Sequence, residues 1–130
     1  MTLLAMRYRL GGRGEDGTID CLGVVLAKAA ELGLDLPARD PWATVCDQWR
    51  RGGLDSATGF PDGWRRLRGE ALRDALQLPK DGDVWLVHHD HPGVGIIAGG
   101  LFWSATARAG GVVALPPDRV QPRPSEVWRR

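Results

Sequence analysis

A chain of 130 residues is the size of a single domain, and it can bury about two-thirds of the surface its unfolded form exposes, so its core needs no staples. Seventeen Lys and Arg stand against sixteen Asp and Glu, a net charge of +1, so the overall field demands neither nucleic acid nor an anionic membrane as a partner. Two cysteines, Cys21 and Cys46, are too few for a disulfide framework, no C-x-x-C pair offers a zinc knuckle, and no run approaches the roughly 20 apolar residues that span a bilayer.

The opening "MTLLAMRYRL" lacks a basic region followed by a long apolar run and a cleavage site, so no secretion signal is expected and the product is expected to be soluble. Between residues 20 and 32, Leu22, Val25, Leu26, Ala29 and Ala30 form one helical stripe. Asp20 is placed to cap this helix and Gly33 to end it. A second short helix is expected from Trp42 to Arg51, where Trp42, Val45, Cys46 and Trp49 share a face and Pro41 suits the first turn. After Asp62, the run "GWRRLRGEALRDAL" repeats Trp64, Leu67, Ala71, Leu72 and Ala75 at helical spacing.

Beyond "PKDGD" the texture changes. "VWLVHH", "VGIIAGG", "LFWSAT" and "GGVVALP" are short runs rich in Val, Ile, Trp and Phe, punctuated by Gly, Pro and Asp, and they read as strands of an antiparallel meander. The Pro- and Arg-containing tail from Pro116 is expected to cross the surface and add one last strand near Val127. Helices first and strands second predict an α+β class for one domain over 1–130, with residues 1–80 mostly helical and 81–130 the meander and tail. The Arg clusters, such as "QWRRGG" and the final "VWRR", read as solvated faces, with Asp and Glu interleaved, and not as a nucleic-acid surface.

Two readings compete for Cys21: a small apolar residue at the start of a buried helix, or a nucleophile. A thiol with an ordinary pKa of about 8.5 is mostly protonated at neutral pH, and a first-turn position in a helix favours its thiolate. The loop "LGGRGEDG" lets the backbone turn closely, and Gly23 keeps the space behind the cysteine small. Cys46, mid-helix beside Val45 and Trp49, reads as core. A cysteine nucleophile needs a base, and the only histidines are His88, His89 and His91, at the junction of two expected strands. The same "HHDH" also suits a solvated turn or a weak metal site, although no thiolate pair lies nearby.

In order, "YRLGG" (Tyr8 to Gly12), "DCLG" (Asp20 to Gly23), "GDVWLV" (Gly82 to Val87) and "VGIIAGG" (Val94 to Gly100) resemble the NlpC family of cell-wall cysteine peptidases, in particular its short members from phage tails and gene transfer agents. The resemblance spans about residues 6 to 115. It implies a papain-like α+β fold with N-terminal helices packed on a C-terminal antiparallel sheet. It also implies hydrolysis of peptide bonds in bacterial peptidoglycan stem peptides, without a cofactor or metal, with the backbone N–H of Cys21 contributing to an oxyanion hole. Residue by residue, Cys21 matches the nucleophile, Tyr8 the tyrosine near the reacting carbonyl, and Asp20 the residue that shapes the helix start. Where the family has a histidine directly before its V-G-I strand, this chain has Gly93. His91, two residues upstream, keeps the same face of an extended strand at a displacement of about 6 to 7 Å and is the candidate base. The third residue, which orients the imidazole, falls at Trp103 or Ser104, and of these Ser104 can accept a hydrogen bond. The implied partners are the stem peptide and other proteins of a phage tail or tail-like particle, and the implied location is the virion, or the bacterial cytoplasm before assembly.

Gly93 and Trp103 at positions where the family is polar open a second reading: a structural module that keeps the architecture, has lost the chemistry and docks onto another tail protein. Six tryptophans are many for this length, and Trp42, Trp103 and Trp128 are the candidates for such a docking surface.

Overall fold

The structure is a computed structural model that describes residues 2–36, 60, 62–87 and 93–130. The expected helix from Trp42 to Arg51, with Cys46, and the histidines His88, His89 and His91 lie outside the described residues. The described strands and α-helices are, in order, β1 (Arg7–Tyr8), β2 (Thr18–Ile19), α1 (Cys21–Glu31), β3 (Arg65–Arg66), α2 (Gly69–Gln77), β4 (Val84–Val87), β5 (Gly93–Ala98), β6 (Leu101–Thr106), β7 (Gly111–Leu115) and β8 (Glu126–Arg129). All eight strands join one curled sheet in the order β2-β1-β7-β6-β5-β4-β8-β3. β1 and β2 run parallel and every other neighbouring pair is antiparallel, so the sheet is mixed.

This architecture overturns the expected α+β, papain-like fold with N-terminal helices on a C-terminal sheet. Among the described residues the chain is mostly β, with two short α-helices. The expected meander β4 to β7 and the last strand near Val127 are present, but residues 7–66 contribute three further strands. Part of the reason is a period that reads two ways. Trp64 and Leu67 are three apart, neighbours on a helix but on opposite faces of an extended chain. Here they are extended: Trp64 packs in the cluster beneath α1, Leu67 packs on the other side of the sheet, and the Leu67 N–H donates to the Val127 carbonyl at 2.9 Å. The helix starts only at Gly69, which turns the chain with φ +57°, a left-handed conformation that glycine tolerates best.

The sheet has a core on each side. On one, Cys21, Leu22, Val25 and Ala29 of α1 pack on Val84, Leu86, Val94, Ile96, Trp64 and Trp128. On the other, Leu67, Ala75, Trp85, Ile97, Phe102, Val120 and Val127 pack together with α2. Strict alternation along β4, β5 and β8 delivers successive residues to the two sides, which is why "VWLV" and "VGII" are continuous apolar runs. Gly95 is required by this packing, because a Cβ there would lie 2.2 Å from the Phe102 ring.

One charge is buried in this framework. Asp83 is 1% exposed, and its carboxylate accepts from Arg129 Nε and Nη2, both at 2.7 Å, and from the Lys80 N–H at 3.0 Å. The bonds from Asp83 hold the Arg129 guanidinium protonated even more firmly than usual, and they tie β8 to the start of β4. A buried pair of this kind adds little net stability, but removing one partner strands the other charge and costs about 3–5 kcal/mol. Arg129→Met is therefore expected to lower the unfolding free energy by about 3 kcal/mol in urea titration, and Gly95→Ala by about 1–3 kcal/mol through overpacking against Phe102.

Candidate functional site

The site is built around the start of α1 and the glycine-rich loop that joins β1 to β2. Asp20 is the N-cap, its Oδ1 accepting from the Gly23 N–H at 2.8 Å. The same carboxylate accepts from the Gly11 N–H at 2.9 Å and from Arg13 Nη1 at 2.8 Å, and the Asp20 N–H donates to the Gly12 carbonyl at 3.1 Å. Loop and helix tip touch backbone to backbone. A Cβ on Gly23 would lie 2.7 Å from the Gly12 oxygen and 2.6 Å from Ile19 Cγ1, and one on Gly12 would lie 2.7 Å from the Ile19 nitrogen. These two positions admit glycine alone without displacing the loop.

Cys21 is the first residue of α1 and is 8% exposed. Its place along the sheet follows from the other end of the helix. Leu34, tied back by its N–H to the Ala29 carbonyl, lies where a Cβ on Gly82 would meet its Cδ1 at 2.8 Å. Gly82 leads into β4, and its N–H donates to Ile97 near the end of β5. The turn that follows α1 therefore lies beside the start of β4. Lys28 lies over Trp103, and Val24, one turn earlier, packs in one cluster with Ala105, so α1 followed back toward Cys21 is directed to the Gly93 end of β5. There Leu86, which packs in the same cluster as Cys21, pairs with Val94, and Val87 pairs with Gly93.

The remaining candidates are distributed unevenly. Tyr8 lies on β1 opposite Ile19, half-buried against Ile19, Val24 and Ala105, so Tyr8, Asp20 and Cys21 share the α1 side of the fold. Ser104 does not join them. It alternates with Trp103, which packs under α1, and so it lies on the opposite face beside Phe102, its hydroxyl donating to the Val94 carbonyl at 2.8 Å. Trp103 occupies the α1 face, with Nε1 donating to the Ala98 carbonyl at 3.0 Å and Lys28 Nζ 3.8 Å from its ring centroid. His91 lies outside the described residues, between Val87 and Gly93 in the chain. Trp128, read as a surface candidate, is buried and stacked on Phe60 at 4.1 Å between ring centroids. Among the described residues, no group of three His, Cys, Asp or Glu side chains is arranged to hold a metal, and no helix is long and apolar enough to cross a membrane.

No protein-family model matches this chain, and no curated protein matches its sequence.

The residue that sequence reasoning passed over is Arg13. Its signal was faint: an arginine between the glycines of "GGRG", seven positions before the cap. On its outer side the loop forms an open depression of about 360 Å³ lined by Arg9, Leu10, Gly11, Arg13, Glu15 and Asp16, with Leu10 exposed. Hydrogen bonds from the Thr18 hydroxyl and amide hold the Asp16 carboxyl below the ordinary carboxylate range.

Gly23→Ala is expected to push the loop from the helix tip and cost about 1–3 kcal/mol in chemical denaturation. Ser104→Ala is expected to cost about 1 kcal/mol, the worth of one buried hydrogen bond, while leaving the alkylation rate of Cys21 unchanged.

Proposed function

We propose that this chain is a cysteine peptidase of the phage-tail type that hydrolyses peptide bonds in the stem peptides of bacterial peptidoglycan. The observation that carries the reading is a juxtaposition: the residue at the tip of α1 is Cys21, it packs in one cluster with Leu86, Val94 and Ile96, and α1 is directed toward the end of the β4–β5 hairpin where Val87 and Gly93 bracket the segment containing every histidine of the sequence. The substrate class is supported by the ordered motifs around Tyr8, Cys21, Gly82 and Val94.

In this mechanism the Cys21 thiolate attacks the scissile carbonyl carbon, and the carbonyl oxygen takes the displaced electron pair. The backbone N–H of Cys21 is the proposed oxyanion donor, since the Gly23 N–H is committed to Asp20. His91 is the proposed base: it takes the thiol proton and returns it to the leaving amine, and water then hydrolyses the thioester. Tyr8 lies on the same side of the sheet, in reach of a substrate laid over β1. Orientation of the imidazole falls to a backbone carbonyl, because Ser104 is on the far face.

The second reading, a tail module that docks without chemistry, is favoured by Trp103. The position that would orient the base is an indole whose N–H and ring face are both engaged inside the protein. Digestion of purified peptidoglycan separates the two. The native chain is expected to release stem-peptide fragments, Cys21→Ala to release none, and His91→Ala to be slowed by about 10²-fold or more. Native protein that releases no more than Cys21→Ala would leave the docking module as the reading.

A further inference from the structure

We propose that Arg13 is a positioning residue for Cys21, acting through Asp20. The inference rests on the reading of Cys21 as a nucleophile, and it concerns a side chain outside the motifs that suggested that reading. The cap of α1 is an anion placed directly before the thiol. Aspartate is a good cap, but its negative charge beside Cys21 opposes the thiolate that the helix end favours. Arg13 resolves this conflict. Its Nη1 lies 2.8 Å from Asp20 Oδ1, with Asp20 8% and Arg13 31% exposed by side chain, so the pair is shielded on the carboxylate side. The same nitrogen donates to the Gly12 carbonyl at 3.0 Å, the oxygen that also receives the Asp20 N–H. One guanidinium thus cancels the charge of the cap and locks the loop on the helix tip.

Asp20 immediately precedes Cys21 in the chain, so this ion pair is the one joined directly to it. The sheet beneath presents Leu86, Val94 and Ile96, and the neighbouring aromatics are Trp64 and Trp128. From β1, Tyr8 packs against Ile19, Val24 and Ala105 on the same side of the sheet. Lys28 lies two turns along α1, paired with Glu31 at 3.1 Å and set over Trp103. Arg66 and Glu126 pair with each other at 3.0 Å on β3 and β8.

The test is the pH dependence of Cys21 alkylation by iodoacetamide, resolved from Cys46 by peptide mass spectrometry, with thermal melting to establish that each variant is folded. Arg13→Met should raise the pH midpoint of alkylation by about 1 unit, because it uncovers a carboxylate next to the thiolate. Arg13→Lys should keep most of the native midpoint. Asp20→Asn retains a capping oxygen and removes the charge, so by itself it should lower the midpoint, leaving Arg13 uncompensated. Combined with Arg13→Met it should restore the native value. A midpoint unmoved in Arg13→Met, or a shift that persists in the double variant, would show that Arg13 merely supports the loop and would overturn the proposal. Asp20→Asn decides the matter independently if Arg13→Met does not fold, since an unmoved midpoint there has the same meaning. Failure of peptidoglycan digestion with these midpoints behaving as stated would instead remove the peptidase reading and leave the role of Arg13 standing.

Discussion

The central strands of the sheet are buried from both sides, and most of the architecture follows from that constraint. Val84, Leu86, Val94 and Ile96 supply one core, while Trp85, Ile97 and Phe102 supply the other. A strand in this position can expose neither face, so α1 and α2 must lie on opposite sides of the sheet. Each one-residue step along β6 then decides which core a side chain belongs to. Trp103 and Ser104 are adjacent in sequence and separated by the full thickness of the sheet. Their separation is a matter of parity, and it takes Ser104 out of reach of any chemistry at Cys21.

The second organising element is the carboxylate of Asp20. It caps α1, receives the Gly11 amide and holds Arg13, so the helix tip and the β1–β2 loop meet on one side chain. Burial makes such a hub costly unless every acceptor position is used, and the glycines at 12 and 23 let backbone approach closely enough to use them. The Asp83–Arg129 pair plays the equivalent part toward the other side of the sheet, joining β8 to the start of β4. Two buried aspartates, each held by an arginine, thus pin the two ends of a sheet whose middle is held by apolar packing.

How much of this was legible in the sequence depended on how local its cause was. α1 was readable because its apolar stripe, its cap and Gly33, which adopts φ +69°, are neighbours in the chain. The meander was readable because each hairpin is closed by its own Gly, Pro or Asp punctuation. The strands β1, β2 and β3 were not, since each is two residues long and too short to show a period. They exist because distant partners hold them, as when the Tyr8 N–H donates to the Gly110 carbonyl and that of Leu67 to the Val127 carbonyl.

The candidate site divides in the same way. Composition and local pattern by themselves determined a chain without a bilayer-spanning apolar run, a cysteine at a capped helix start and a set of histidines between two strands, because each depends on residues a few positions apart. Tertiary structure alone decided that the described fold is a mixed, mostly β sheet, that α1 is directed toward the Gly93 end of β5, that Ser104 lies on the opposite face of the sheet, and that Arg13 closes on Asp20. Those outcomes depend on register, helix direction and burial, which arise only when segments far apart in the chain compete for the same two faces of one sheet.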